Sequence, residues 1–267
     1  MQQTSQLYKE LIAEQNHSFE ISVVIGESGR LVTERNETIL FAGTAILVAT
    51  AAADSGYREE KLWSLTTHQA MFSGNTPEVG AVISSEIDIV MSKPVADIPH
   101  RAMIRPYIRV TNGEQFSEWI PQGTYYIDTK QITHNDNGLD ILTIHGYDSI
   151  VMTDIDYPSD DSHDYPMLDT DMVSFIASNV NGGINVDSRT WDVMTDGYEF
   201  SLPVGYSMRE VLQMIASAYA GAFVMTAENE LRLIQINELP TETRLLIDNA
   251  GYTLVFGEGE GATRILV

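Results

Sequence analysis

The chain has 267 residues, a formal net charge of −23 and no cysteine. Its 43% hydrophobic and 20% charged content describes a globular chain, long enough for two modest domains or one elaborate one. The missing thiols exclude disulfide frameworks, thiolate metal sites and Cys nucleophiles, and the negative charge without a basic patch disfavours direct binding of DNA or RNA. The N-terminus lacks the basic-then-apolar order of a signal peptide. The longest apolar run, Ile39 to Ala53, is too short to cross a bilayer, so no membrane insertion by this segment is expected.

In chain order, Thr4 or Ser5 caps a helix through Leu7, Tyr8, Leu11 and Ile12. Phe19 to Ile25 reads as a strand, Gly26 to Gly29 as a turn, and Thr38 to Val48 as a further strand. Leu62 to His68 is β-prone, and Glu86 to Ile89 alternates with period two. Ala102 to Val110 is a strand in which Pro106 predicts an edge or a bulge, with Asn112-Gly113 as hairpin turn. Gly123-Thr-Tyr-Tyr-Ile-Asp-Thr-Lys130 and Leu139-Asp-Ile-Leu-Thr-Ile-His-Gly-Tyr-Asp148 form a second hairpin across the polar turn His134 to Gly138.

The character changes after about residue 152. Asp154, Asp156, Asp160, Asp161, Asp164, Asp169 and Asp171 fall in one acidic stretch with Pro158 and Pro166. Thr170 to Asn179 has helical spacing, with Asp169 or Thr170 as cap and Asn181-Gly-Gly183 as stop. Tyr198 to Leu202 is a short strand. Ser207 and Glu210 form a capping box for a helix with Met208, Val211, Leu212, Ile215 and Tyr219 on its apolar face and Gly221 as its C-terminal cap. Ala222 to Thr226 and Leu231 to Ile236 make a third hairpin. The expected fold class is α+β, mainly β: a β-barrel or sandwich over 1–152, an acidic linker over 153–170, an α/β subdomain with two helices and a hairpin over 171–240, and the start of a further β segment over 241–267. The apolar ending Arg264 to Val267 reads as a strand inside a longer reading frame.

Five segments carry a family resemblance in order: Leu7 to Ile25, Met71 to Ile89, Gly123 to Asp148 with its closing Gly-Tyr-Asp, Pro203 to Phe223 with Ser-Met-Arg-Glu-Val-Leu, and Asn229-Glu-Leu-Arg-Leu. Together they resemble the N-terminal hub region of phage tail-tip proteins, the tail-associated or "prophage endopeptidase tail" family, which is related to contractile-tail baseplate hubs. The resemblance implies a non-enzymatic virion component at the tail tip, synthesised in the bacterial cytoplasm and assembled as a homotrimer. It also implies contact with the distal tail protein or tail tube, the tape-measure protein and distal fibre or lytic modules. The family's second barrel and any hydrolase have no counterpart in this sequence.

No catalytic constellation is evident. Asp154, Asp156, Asp160, Asp161 and Asp164 could surround Ca²⁺, but their spacing lacks the Gly and terminal Glu of an EF-hand loop, so a solvated linker is the preferred reading. His163 beside them, and His17, His68, His100, His134 and His145 elsewhere, have no paired His at metal spacing. Gly257 to Ala262 lacks the Lys-Ser/Thr of a phosphate loop. No cofactor is expected. Trp119, Tyr125, Tyr126 and Tyr147 are core aromatics or candidates for a subunit interface. The alternative reading is a cell-wall-degrading or carbohydrate-binding module of a phage or bacterial surface protein, resting on abundant acids and on aromatics able to stack on sugars.

Overall fold

The computed structural model describes residues 4–26, 40–41, 44–45, 56–72, 78–94, 98–134, 138–158, 164–180, 183–236, 255–256 and 263–264. The fold is α+β and mainly β, as the sequence predicts. Its first part contains α1 (Gln6–Ala13), β1 (Ser18–Gly26), β2 (Leu40–Phe41), β3 (Thr44–Ala45), β4 (Leu62–His68), β5 (Ala81–Val82), β6 (Glu86–Ser92), β7 (Met103–Thr111), β8 (Ile120–Pro121), β9 (Tyr125–His134) and β10 (Asp140–Asp148). A 3-10 turn, Ser149–Thr153, follows. The rest contains β11 (Met167–Leu168), α2 (Asp169–Asn179), β12 (Asn185–Val186), α3 (Arg189–Val193), β13 (Glu199–Phe200), α4 (Met208–Ala218), β14 (Gly221–Met225), β15 (Glu230–Gln235), β16 (Val255–Phe256) and β17 (Thr263–Arg264).

The larger sheet runs β1-β7-β9-β10-β6-β4, with β8 added to β7. Strand alternation sets its inner face: Ile87, Ile89 and Met91 of β6 meet Val23, Ile104, Ile127, Leu142 and Ile144 in one buried cluster. The described ladders do not close into a continuous barrel. Instead β1 makes one isolated bridge with the segment ahead of β4, where Val23 and Tyr57 exchange backbone hydrogen bonds of 2.9 and 2.8 Å. The expected strand from Thr38 to Val48 is, where described, the short antiparallel pair β2–β3. Residues 241–267 lie outside the described residues apart from the antiparallel pair β16–β17, and Gly257 to Ala262 lies wholly outside them.

Pro106 occupies neither an edge nor a bulge. It pairs with Val23 in a central strand, where the other side of β7 changes partner from β9, at Met103 and Ile104, to β8, at Tyr107 and Ile108. The Pro106 carbonyl accepts from the Gln122 N–H at 2.9 Å, and the missing proline N–H faces that same gap in the ladder.

The smaller sheet runs β12-β15-β14-β5, and α2 and α4 pack against it. The α4 capping box forms as expected: Ser207 Oγ accepts from the Glu210 N–H at 3.2 Å, and Glu210 Oε2 accepts from the Ser207 N–H at 2.7 Å. Two expectations differ. Gly221 does not cap α4; Ala220 takes the left-handed position at φ 49°, and Gly221 opens β14, where a Cβ would lie 2.6 Å from the Ile234 carbonyl oxygen. Asp169 does not cap α2 from outside either. It is fully buried as the first helical residue, accepting from the Tyr198 N–H and, at 2.5 Å, from the Tyr219 hydroxyl. Burial, with the Asp169 hydrogen bond and charge, pushes the Tyr219 phenol well above its usual range. Just ahead of α3, the Asp187 carboxylate accepts from the Arg189 N–H and pairs with its guanidinium. The hydrogen bond from the Arg189 side chain holds the Asp187 carboxyl below the usual range.

A register shift falls between His145 and Gly146, so that Asp128 has no opposite number in β10. A Cβ on Gly146 would sit 2.6 Å from the Tyr126 carbonyl oxygen. Gly146→Ala is therefore expected to destabilise the fold by about 1–3 kcal/mol, measured by urea unfolding, whereas Gly138→Ala has open space and is strained only by its positive φ.

Candidate functional site

The Gly-Tyr-Asp that closes β10 and the Ser-Met-Arg-Glu that opens α4 are 60 residues apart in the chain, Asp148 to Met208, and meet at one junction. Asp148 is buried at 2% exposure. One carboxylate oxygen accepts from the Ser85 N–H at 2.8 Å and the other from the Ile150 N–H at 3.0 Å, starting the 3-10 turn. Arg209, on the first turn of α4, donates to Ser84 Oγ at 3.0 Å and to the Ile150 carbonyl at 3.1 Å. Its Nε lies 2.8 Å from Asp154 Oδ1, close enough for an ion pair but without an aligned hydrogen bond. Ser149 Oγ donates to Asn229 Oδ1 at 2.7 Å, bolting the same turn to the β14–β15 tip. Asn229 has φ 65°, a left-handed value that Asn tolerates better than most residues.

The predicted residues scatter around this junction. Tyr125 is 1% exposed inside the large-sheet core, its hydroxyl donating to the Gln122 carbonyl at 3.2 Å, so its place is in the core. Gly123 precedes it at φ 121°, where a Cβ would lie 2.8 Å from the Tyr125 ring. Trp119 is half-buried, with the Arg109 guanidinium 4.3 Å from its ring centroid and Arg58 at 5.5 Å; Arg109 also pairs with Glu20 at 2.7 Å. Tyr126 and Tyr147 are brought together as a half-buried cross-strand pair. They line a cleft of about 450 Å³ beside the junction, with Arg101, Asp128, Asp154, Ile155 and Asn179 among its walls. Sequence reading put the two tyrosines on one hairpin as interface candidates but gave no site role to Arg101, Asn179 or Asp128, the last although it lies in the Gly123–Lys130 phrase.

The five acidic residues are not seen to converge. Asp154 pairs with Arg209, Asp156 forms a backbone bridge with Ser207, Asp164 is exposed, and Asp160, Asp161 and His163 lie outside the described residues. Among the described residues no group of three or more His, Cys, Asp or Glu is placed to hold a metal ion. No described helix is long and apolar enough to cross a membrane.

No family model matches the chain, and no curated protein does. Solved structures align with it, the first of them at the level of a shared fold. The 43 kDa tail protein of prophage MuSo2 from Shewanella oneidensis aligns at 13% identity with a TM-score of 0.51, covering 85% of this chain and 59% of that one. A tail protein from Neisseria meningitidis MC58 aligns at 13% identity with a TM-score of 0.46, covering 81% and 51%. A Francisella PdpA-VgrG complex aligns at 9% identity with a TM-score of 0.36, covering 82% and 31%. The chain thus has the fold of a phage tail protein and spans 59% of the length of the first of these structures.

Burial pushes the Asp148 carboxyl up to about 6, although the hydrogen bonds from Ser85 and Ile150 and the Arg209 charge pull it down. The folded state therefore holds this proton more tightly than the unfolded chain, whose Asp titrates near 3.8. The stabilisation linked to the proton is complete below that unfolded value and is lost as pH rises through about 6. Between about pH 4.5 and 7.5, the unfolding free energy of the wild type minus that of Asp148→Asn is expected to fall by roughly 2 kcal/mol, measured by urea titration at each pH.

Proposed function

We propose that the chain is a structural hub of a phage or phage-like tail tip. In this reading it is non-enzymatic and closes into a ring, trimeric by the family resemblance. It joins the tail tube or distal tail protein to distal fibre or lytic modules, in contact with the tape-measure protein. The observation that carries the reading is the fold likeness to the prophage MuSo2 tail protein over 85% of the chain. The order of the five motif segments agrees with it.

The surface offers material for a ring contact. At the β9–β10 tip Ile132 is 47% and Leu139 57% exposed. A neighbouring copy that covers these side chains removes apolar area from water, and closure of the ring leaves no further sticky edge.

Native mass spectrometry and light scattering test the proposal. The expected result is a trimer that binds the distal tail protein. The double substitution Ile132→Asp with Leu139→Asp is expected to give a monomer whose unfolding free energy stays within about 0.5 kcal/mol of that of a wild-type protomer. A wild type that stays strictly monomeric at high concentration and does not bind the distal tail protein overturns the reading.

A further inference from the structure

The cleft beside the junction has features that packing alone does not require. Its volume of about 450 Å³ falls in the range of roughly 300–1,000 Å³ that holds small molecules. Its floor is the cross-strand pair Tyr126 and Tyr147. His145 braces Tyr147 edge-on, with ring centroids 4.8 Å apart, and is itself held by Asp88 at 2.9 Å.

The polar lining is left without internal partners. Asp128 and Arg101 form no ion pair or side-chain hydrogen bond among the described residues. Asn179 spends its Nδ2 on the Phe175 carbonyl at 2.9 Å, and its Oδ1 accepts no hydrogen bond among the described residues. Asp128 is the unmatched residue of the bulge. Arg101 is held at φ 58°, a conformation a non-glycine residue adopts at a cost, and such strain is found preferentially at binding sites.

The mixture of charges selects the ligand. An anion would face Asp128 and Asp154 on a chain of net charge −23. A cation would face Arg101. A neutral polyol satisfies both, because each hydroxyl donates to a carboxylate or amide oxygen and accepts from a guanidinium. The apolar C–H face of a pyranose ring suits a tyrosine floor.

We propose that this cleft binds a neutral glycan of pyranose units. The site is formed by one chain, and its test reads ligand contact rather than assembly, so it stands or falls apart from the hub proposal.

The test is a nuclear magnetic resonance titration of the ¹⁵N-labelled protein with maltotriose and with cellotriose. Sialyllactose serves as the anionic probe and triglycine as the peptide probe. The expected result is a shift of the Tyr126, Asp128, Tyr147 and Asn179 resonances by at least one neutral trisaccharide, with a dissociation constant of about 1 mM. Asp128→Ala, at an exposed side chain, is expected to weaken binding about tenfold, as losing one charge-assisted hydrogen bond does. Tyr126→Ala, checked for an unchanged melting curve, is expected to abolish it. The proposal is overturned if neither glycan shifts these resonances or if Asp128→Ala binds as tightly as the wild type. It is also overturned if sialyllactose or triglycine does equally well, or if the cleft resonances move on simple dilution, which would place a second copy there.

Discussion

The arrangement of the molecule depends on a buried carboxylate that two backbone N–H groups and a guanidinium make tolerable. Asp148 sits where β10 ends; the Ile150 N–H reaches it from the turn that follows, and the Ser85 N–H and the Arg209 charge come from two distant stretches of chain. An isolated buried charge is costly, and leaving such a buried group without one of its hydrogen bonds typically costs about 1–3 kcal/mol. The directionality of the contact matters more than its net contribution to stability. A hydrophobic patch would let the two sheets slide, whereas paired hydrogen bonds at fixed angles accept one docking. The cleft lined by Tyr126 and Tyr147 follows from that docking, since Val151, Met152 and Asp154 of the 3-10 turn and its exit form its other wall.

The phrases in the sequence that resemble a tail hub turn out to have geometric duties. Gly146 permits the close approach at the bulge, Asp148 clamps the turn, Arg209 ties it to α4, and Asn229 occupies a left-handed corner. Such positions accept few residue types, while exposed positions around them accept many. A shared fold at 13% identity is physically reasonable on those terms. The likeness speaks to architecture, and the side chains exposed on the outside of that architecture are this chain's own.

Much of the fold was legible because it is local. The alternation Glu86 to Ile89, the Asn112-Gly113 turn and the Ser207–Glu210 box each announce themselves within about ten residues, and the β9–β10 hairpin joins neighbouring strands. What was not legible depends on partners distant in the chain. β5 is two residues long and carries no period; it exists because Ala222 and Phe223 offer it a parallel edge. Pro106 looked like an edge marker because sequence does not reveal that β7 changes neighbours there. Asp169 looked like a cap because its donors, the Tyr198 N–H and the Tyr219 hydroxyl, are 29 and 50 residues away. The cleft was half visible: the tyrosines share a strand pair, whereas Arg101, Asp128 and Asn179 converge through the docking alone.

The route of β5 carries a lesson about modularity. The chain lends two residues to the smaller sheet, beside β14, before it has laid down β6, β7, β9 and β10 of the larger one. The two sheets are therefore stitched rather than strung. No single cut near residue 152 yields two intact pieces, because the leading fragment would carry an orphaned strand and the trailing one would expose the β14 edge that strand had covered. Recombination between relatives, or a graft in the laboratory, would have to exchange both sheets together.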